Sequence, residues 1–465
     1  MSKFQAKTIG NATLVVKNNK STILVTDPWF DEHPCYFGSW RLTHEIPQEI
    51  KDESLKTKYV YISHAHPDHL NLPTLRLFRN KSKVILAEQS SNRLSTEIRK
   101  SGFDVIVIPN RKWIELEEGI KILTFSDEKQ DSVLLISLSH GDKRSLIVNL
   151  NDAGDCGVKR EIKNISKQFD NSILLRLASF GCADMINLWD LKSGKEIPTP
   201  CDDFSPIGKI YEKSMQDFAC NISIPFSSSH QYQREDSWWA RKYVASEEDH
   251  FKGFKGKENK RLLPIFQSIN FKNDENPIFK DIKPKKILIN EPVKATYFGD
   301  NWNDGFKEND KKEIEEYFQS IDYLKENYDS IGVRFNKDVF YCKLNKKNKF
   351  RKNIVFYSPR RSFIYAIRNN VFDDLLIGNF MKTYLGGITN LQVPNFDFYV
   401  AKLSDNAYAK TKEDIDKAFA FYNQDRLLED KYNEKVKTIS SFLKNKLISP
   451  ELRSIIKKQY IKYFN

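Results

Sequence analysis

Cysteine is scarce in this chain. Six residues (Cys35, Cys156, Cys182, Cys201, Cys220 and Cys342) are scattered through 465, with no C-x-x-C pair. That spacing excludes a zinc ribbon and a secreted disulfide scaffold. Long apolar runs are missing too, since none approaches the roughly 18 residues needed to span a bilayer. The opening MSKFQAKTIGNATLVV lacks the basic-then-apolar layout of a secretory leader, so a cytoplasmic protein is expected. Neither sign of charge is lacking: 74 Lys and Arg face 62 Asp and Glu, a net +12. The lysines are dispersed among acids, which reads as a solvated surface, and no nucleic-acid partner is expected. A positive mean field would still favour a small anionic substrate. The sequence leaves the oligomeric state open.

The apolar content is 40%, with 13% aromatics, enough for real cores. Residues 1–248 alternate strand-like and helix-like stretches. ATLVVKN, STILVTDPW, YVYIS, KVILAE, DVIVIP, GIKILTFS, SVLLISLS, SLIVNLN, NSILLRLAS and CNISIPFSS read as strands, with NLPTLRLFRN and SSNRLSTEIRKSG as helices. This order predicts an α/β sandwich of two mixed sheets covered by helices. Residues 249–286 shift toward Lys, Asn, Asp and Pro and read as a linker or insertion. Residues 287–465 read as an additional α+β unit. It has strands SIGVRFN, VFYCKLN and NIVFYS and helices FIYAIRNNVFDDLLIGNFMKTYL and KEDIDKAFAFYNQDRLLEDKYNEKVKTISSFL.

Histidine is rare, eight in all, yet three fall in YVYISHAHPDHLNLPTL, residues 59–75. Each buried imidazole left without a partner costs about 1–3 kcal/mol, so a strand end carrying His64, His66, Asp68 and His69 needs a reason. Alternation places His64 and His66 on one side of the extended chain, and Asp68 and His69 follow in the turn. Imidazole with carboxylate suits zinc, iron or manganese. A polar loop with capping histidines is the plainer alternative, but four donors within six residues speak against it.

SHAHPDHL after a strand resembles the motif of the metallo-β-lactamase superfamily, and LVTDPWF resembles the aspartate–proline turn early in its members. The resemblance implies an αββα sandwich with metal held at the sheet edge. Carried over by position, it implies His64 and His66 on a first metal and Asp68 with His69 on a second. Asp152, after SLIVNLN, would bridge, with Asp155 as the alternative, and His230, after ISIPFSSS, would be the last ligand. Asp27 would orient a ligand imidazole. The family's further histidine between KILTFS and SVLLIS is missing. DEKQD stands there, so Asp127, Glu128 or Asp131 would substitute, or His64, His66 and Asp152 would hold the first metal alone, a set that also suits non-haem iron. His140 sits in a hairpin turn more than about 20 Å from Asp152 and should not be a ligand. His33, His44 and His250 lie in loops without companions.

The likeness is closer to the metallo-β-lactamase-fold part of CMP-N-acetylneuraminate hydroxylase. It rests on the DPW turn, the aromatic loop CYFGSWRL, LNLPTL after the histidines and SFGCAD at residues 179–184. Pro225-Phe226 and the later IRNNVFDDLLIGNFM add to it. That family's Rieske centre needs Cys-x-His-like pairs, and no cysteine here has a histidine two or three residues later. The expectation is therefore a metal-dependent hydrolase acting on an anionic sugar or nucleotide-sugar-type small molecule. Zinc, one or two ions, is the first expectation, with iron or manganese as alternatives. Such a metal supplies hydroxide from water acidified to about pKa 7, which Asp68 would orient or deprotonate. An iron oxygenase fed with external electrons is the second reading, and a non-catalytic metal-binding protein the third. Trp29, Trp40, Trp238 and Trp239 flank the ligand loops, as stacking platforms or as core.

Overall fold

The computed structural model describes residues 2–30, 33–177, 186–198, 207–256, 259–345, 352–424 and 426–427. The expectations for residues 179–184, for Cys182 and Cys201, and for the helical tail beyond residue 427 lie outside these residues.

Strand alternation builds the sandwich. In Tyr59–Ile62, Val60 and Ile62 point to one core and Tyr61 to another. The first sheet runs Ile278–Asp281, Gln267–Lys272, Ser2–Ile9, Thr13–Asn18, Thr22–Thr26, Tyr59–Ile62, Lys83–Ala87, Val105–Ile108. The second runs Arg261–Leu262, Ile222–Pro225, Asn171–Arg176, Lys143–Asn151, Ser132–His140, Ile120–Ser126, Ile114–Glu117. Their inner faces share one core, where Leu14, Val16, Tyr61 and Ile85 meet Ile122, Ile136, Ile147 and Ile173. On the outer face of the first sheet, Val60, Ile62 and Leu86 pack with Ile50, Leu75 and Ile98 from helices. On that of the second, Leu135, Val148 and Leu174 pack with Ile162, Tyr211 and Met215. The layers are helix, sheet, sheet, helix, the expected αββα order.

Two stretches depart from the sequence expectation. Within 249–286, expected as a linker or insertion, Gln267–Lys272 pairs with Ser2–Ile9, matching Phe4 with Phe271 and Ala6 with Ile269. Arg261–Leu262 and Ile278–Asp281 add strands at the two sheet edges. Ile269 and Phe271 alternate with polar neighbours, a period-2 pattern that a composition average hides. The second departure is FIYAIRNNVFDDLLIGNFMKTYL, expected as one helix. It is Arg360–Asn369, a left-handed Asn370 (φ 52°), the short helix Asp373–Ile377, and the strand Lys382–Gly386. Asparagine tolerates that backbone and ends the helix there.

The C-terminal unit is a five-stranded sheet with helices around Phe318, Phe356, Phe363, Phe372 and Phe396. Its order is Leu188–Asp190, Lys382–Gly386, Asn353–Tyr357, Ser330–Phe335, Asp338–Lys343, so one edge strand is lent by the earlier part of the chain. Among the described residues no helix is long and apolar enough to cross a membrane. Thr22–Thr26 and Tyr59–Ile62 are parallel, as are Lys143–Asn151, Asn171–Arg176 and Ile222–Pro225. The site residues leave from the carboxyl ends of these strands, where α/β sheets place their clefts.

Candidate metal centre

Asp27 leaves Thr22–Thr26 with left-handed backbone (φ 39°) and carries a dense network. Its carboxylate accepts Ser63 N–H and Ser63 Oγ, both at 2.8 Å, and Asn151 Nδ2 at 2.5 Å. It also lies 3.2 Å from His69 Nδ1. A carboxylate on Nδ1–H fixes the ring and leaves Nε2 as the atom that can face a metal. His69 Nε2 then faces Asp68 Oδ2 at 3.3 Å and Asp152 Oδ2 at 3.4 Å. Neither His69 Nε2 nor Asp152 Oδ1 has an aligned hydrogen bond, although both are buried. A buried carboxylate oxygen without an aligned donor is costly, and a proton on His69 or a metal cation would satisfy the cluster.

His64 Nδ1 lies 2.9 Å from Ser63 Oγ, and its Nε2 lies 2.8 Å from His66 Nδ1. One donor atom from each of His64, His66 and Asp152 falls within 4.8 Å of the others. Two nitrogens on one tetrahedral zinc stand about 3.3 Å apart at ordinary bond lengths. The donor set therefore fits a divalent ion. Burial pushes the His64 pKa well below its ordinary value, with His69 and His66 adding to the effect, so the ring stays neutral as a ligand must. At His69 burial opposes protonation, but Asp68 and Asp152 outweigh it and raise the pKa well above the ordinary value.

Asp68 is held on both oxygens. Tyr36 OH donates to Oδ1 at 2.5 Å and Asn11 Nδ2 to Oδ2 at 2.8 Å. Burial works against its ionisation, yet His69, His66 and Tyr36 keep the carboxyl well below the usual carboxylate range. His230 begins the strand His230–Tyr232 and stacks on Trp40 with ring centroids 3.5 Å apart. It does not join the three converging donors. The loop before it is tied to the site, because Ser227 Oγ donates to Asn151 Oδ1 and Ser229 N–H to Asn11 Oδ1.

In the loop that lacks the family's histidine, the three acids differ. Asp127 Oδ1 accepts Lys129 and Asp131 N–H groups and is occupied by the turn. Glu128 pairs with Arg426 at 2.9 Å. Asp131 Oδ1 approaches His64 Nδ1 to 3.9 Å, so it is the acid brought to the donors. Asp155 Oδ1 accepts Gly157 N–H. His140 is buried with its ring nitrogens on Lys272 O and Ser145 Oγ. His44 contacts Thr43 and Glu247, His250 contacts Tyr211, and His33 is exposed. Trp29 and Trp40 belong to the outer core, Trp239 packs on its rim, and Arg241 lies over Trp238 at 3.9 Å.

Sequence reasoning missed five residues. Tyr36 reaches Asp68 because the loop is wound through left-handed Tyr36, Phe37 and Gly38 (φ 51°, 56° and 90°). The aromatic run CYFGSWRL was its visible trace. Asn11 and Asn151 hold Asp68 and Asp27, and Asn151 is also left-handed (φ 51°), a conformation in which asparagine is enriched. Asp373 and Lys402 come from the C-terminal unit. Asp373 Oδ2 lies 2.8 Å from His66 Nε2, and Lys402 Nζ lies 3.0 Å from that nitrogen and 3.2 Å from Asp373 Oδ2. At 307 and 336 residues from His66 they leave no local signal.

No family model matches the chain. A cytidine monophosphate-N-acetylneuraminic acid hydroxylase of Asterias rubens is 34% identical over 110 residues, 23% of this chain. The likeness is to that hydroxylase family. The match spans 17% of the sea-star protein's own length, far less than the whole of it. A solved CmlA beta-hydroxylase variant is 11% identical, covers 58% of this chain and 54% of its own, and has a TM-score of 0.37. An isothiocyanate hydrolase from Delia radicum gut bacteria is 14% identical over 59% of this chain and 98% of its own, also at 0.37. Other similar structures are metallo-beta-lactamase-fold proteins. At these low scores the sandwich rests on the sheet order and cores described above.

Proposed function

We propose that this chain is a metal-dependent hydrolase acting on an anionic sugar or nucleotide-sugar-type small molecule. One observation carries the reading: His64, His66 and Asp152 converge within 4.8 Å, beside His69 Nε2, which faces Asp68 and Asp152. His64, His66 and Asp152 would hold a divalent ion, with Asp68 and His69 able to hold a second, and such an ion would supply Lewis acidity and a more acidic water. Zinc suits the set, as do iron and manganese. The protein's own groups do the positioning. Asp27 orients the His69 ring, His69 and His66 keep Asp68 ionised, and Tyr36 and Asn11 hold its two oxygens in place. A carboxylate held that way suits accepting a hydrogen bond from the attacking water better than storing its proton. The net charge of +12 favours an anionic substrate.

A second reading has its own support. Two histidines and one carboxylate are also the donors of non-haem iron oxygenases, and the sequence likeness is to a hydroxylase. Electrons would then come from a separate reductant. Metal content by plasma mass spectrometry, on protein purified without added metal, separates the two. Zinc near one or two per chain, lost in His66→Ala and Asp68→Ala, is the expected result. Iron in that position favours the oxygenase. No uptake of zinc or iron, even on addition, overturns both.

A further inference from the structure

We infer that the C-terminal unit forms the outer half of the metal centre, with Asp373 as the positioning residue that fixes the His66 tautomer. This rests on the metal reading above and adds the residue that makes His66 a ligand. The short helix Asp373–Ile377 follows directly on the left-handed break at Asn370 and carries Asp373 to the end of the histidine strand. Lys402 arrives from a π-helical turn, Phe398–Asn406, a form that is rare and concentrated at functional sites. Asp373 and Lys402 are both buried, and both lie within 3.0 Å of His66 Nε2.

That nitrogen cannot donate to Asp373 and accept from Lys402 at once. A carboxylate only accepts and an ammonium only donates. An unprotonated Nε2 would set its lone pair against the Asp373 oxygen at 2.8 Å, whereas Lys402 has Asp373 Oδ2 as an acceptor at 3.2 Å in any case. The arrangement that satisfies all three groups places the proton on Nε2, hydrogen-bonded to Asp373. His66 Nδ1, the atom 2.8 Å from His64 Nε2, is then the one with a lone pair for metal. Lys402 pairs with the same Asp373 oxygen and sets beside His66 a positive charge that opposes a nearby cation.

These roles have opposite signs in a metal titration. With the full chain, Zn²⁺ and Co²⁺ are titrated against a chromophoric chelator. Asp373→Asn should weaken affinity about 10–100-fold, the scale for partners that orient a ligand, and shift the Co²⁺ visible band. Asp373→Glu should recover part of the loss. Lys402→Met should tighten affinity, because the His66–Asp373 bond survives and a competing cation is gone. Equal weakening by Asp373→Asn and Lys402→Met would mean mere packing between the units and would overturn the proposal. So would an Asp373→Asn affinity within twofold of the wild type. His66→Ala is the separate control: unchanged metal binding there sinks the metal reading itself. Long-range proton–nitrogen NMR of the histidine-labelled wild type reads the tautomer without a mutation at Asp373. Nε2–H at His66 supports the assignment, and Nδ1–H overturns it.

Discussion

His66 and Asp373 stand 307 residues apart in the chain and 2.8 Å apart in space. Other polar bonds join the same two parts of the chain, some buried and some half-buried. Arg93 Nη1 donates to Asp405 O at 3.1 Å, and Arg93 Nη2 to Asn369 O at 3.2 Å. Tyr422 OH donates to Gln89 Oε1 at 2.8 Å. The sandwich and the C-terminal unit therefore share a polar contact near the histidine strand.

Asp27→Ala should be among the most damaging single substitutions. It strips the acceptor from Ser63 N–H, Ser63 Oγ and Asn151 Nδ2 and uncouples His69. Breaking a buried charged network in this way costs about 3–5 kcal/mol. Urea unfolding of the metal-free protein measures it, and a loss below about 1 kcal/mol would contradict the network described here.

Tyr36→Phe should separate positioning from folding. The ring stays packed against Trp40, with centroids 4.5 Å apart, while Asp68 Oδ1 loses its donor. Zinc affinity should fall about tenfold, and stability by about 1–3 kcal/mol for the unsatisfied oxygen. Isothermal titration beside a thermal melt reads both quantities.

His250 sets a pH dependence away from the metal donors. Burial lowers its pKa from the ordinary histidine value of 6.5 to about 4. The unfolded chain therefore takes up a proton near pH 6.5 that the folded chain refuses until about pH 4. Stability is full above that window and falls by about 3 kcal/mol as pH drops through it. In His250→Leu the acid slope between those values should flatten, as followed by denaturant midpoints at several pH values.

Asp300→Ala tests the join from the other side. Asp300 Oδ2 lies 2.8 Å from Arg234 Nη1, both fully buried, and Asp300 also accepts Ser362 N–H and Oγ. Arg234 keeps Asp236 and Phe37 O as partners. Loss of Asp300 should still cost about 3 kcal/mol, recovered in part by Asp300→Asn. A melt of the three proteins decides.

The order of strands and helices made a two-sheet sandwich legible, and the resemblance carried by the histidine motif implied its αββα layers, which residues such as Val60, Tyr61 and Ile62 build by facing opposite cores. The histidine run was legible for a local reason: four donors in six residues have few other uses. The strands at residues 2–9 and 267–272 were not, since each buries only a few side chains and mixes them with Lys, Asn and Gln. Tyr36 was half visible, as an aromatic loop with no stated task. Asp373 and Lys402 were invisible, because a contact closed across more than 300 residues leaves no period, spacing or composition to read.

The strand Leu188–Asp190 has a consequence for how the chain is made. Its partner, Lys382–Gly386, pairs Trp189 with Tyr384 and is synthesised about two hundred residues later. At the usual 5–20 residues per second, roughly 10–40 s pass between the two events. Through that interval a nascent sandwich carries a strand with nowhere to dock, an edge open to the wrong partner. A ribosome pause between residues 190 and 382 would lengthen that exposure, while slowing translation before residue 188 would not.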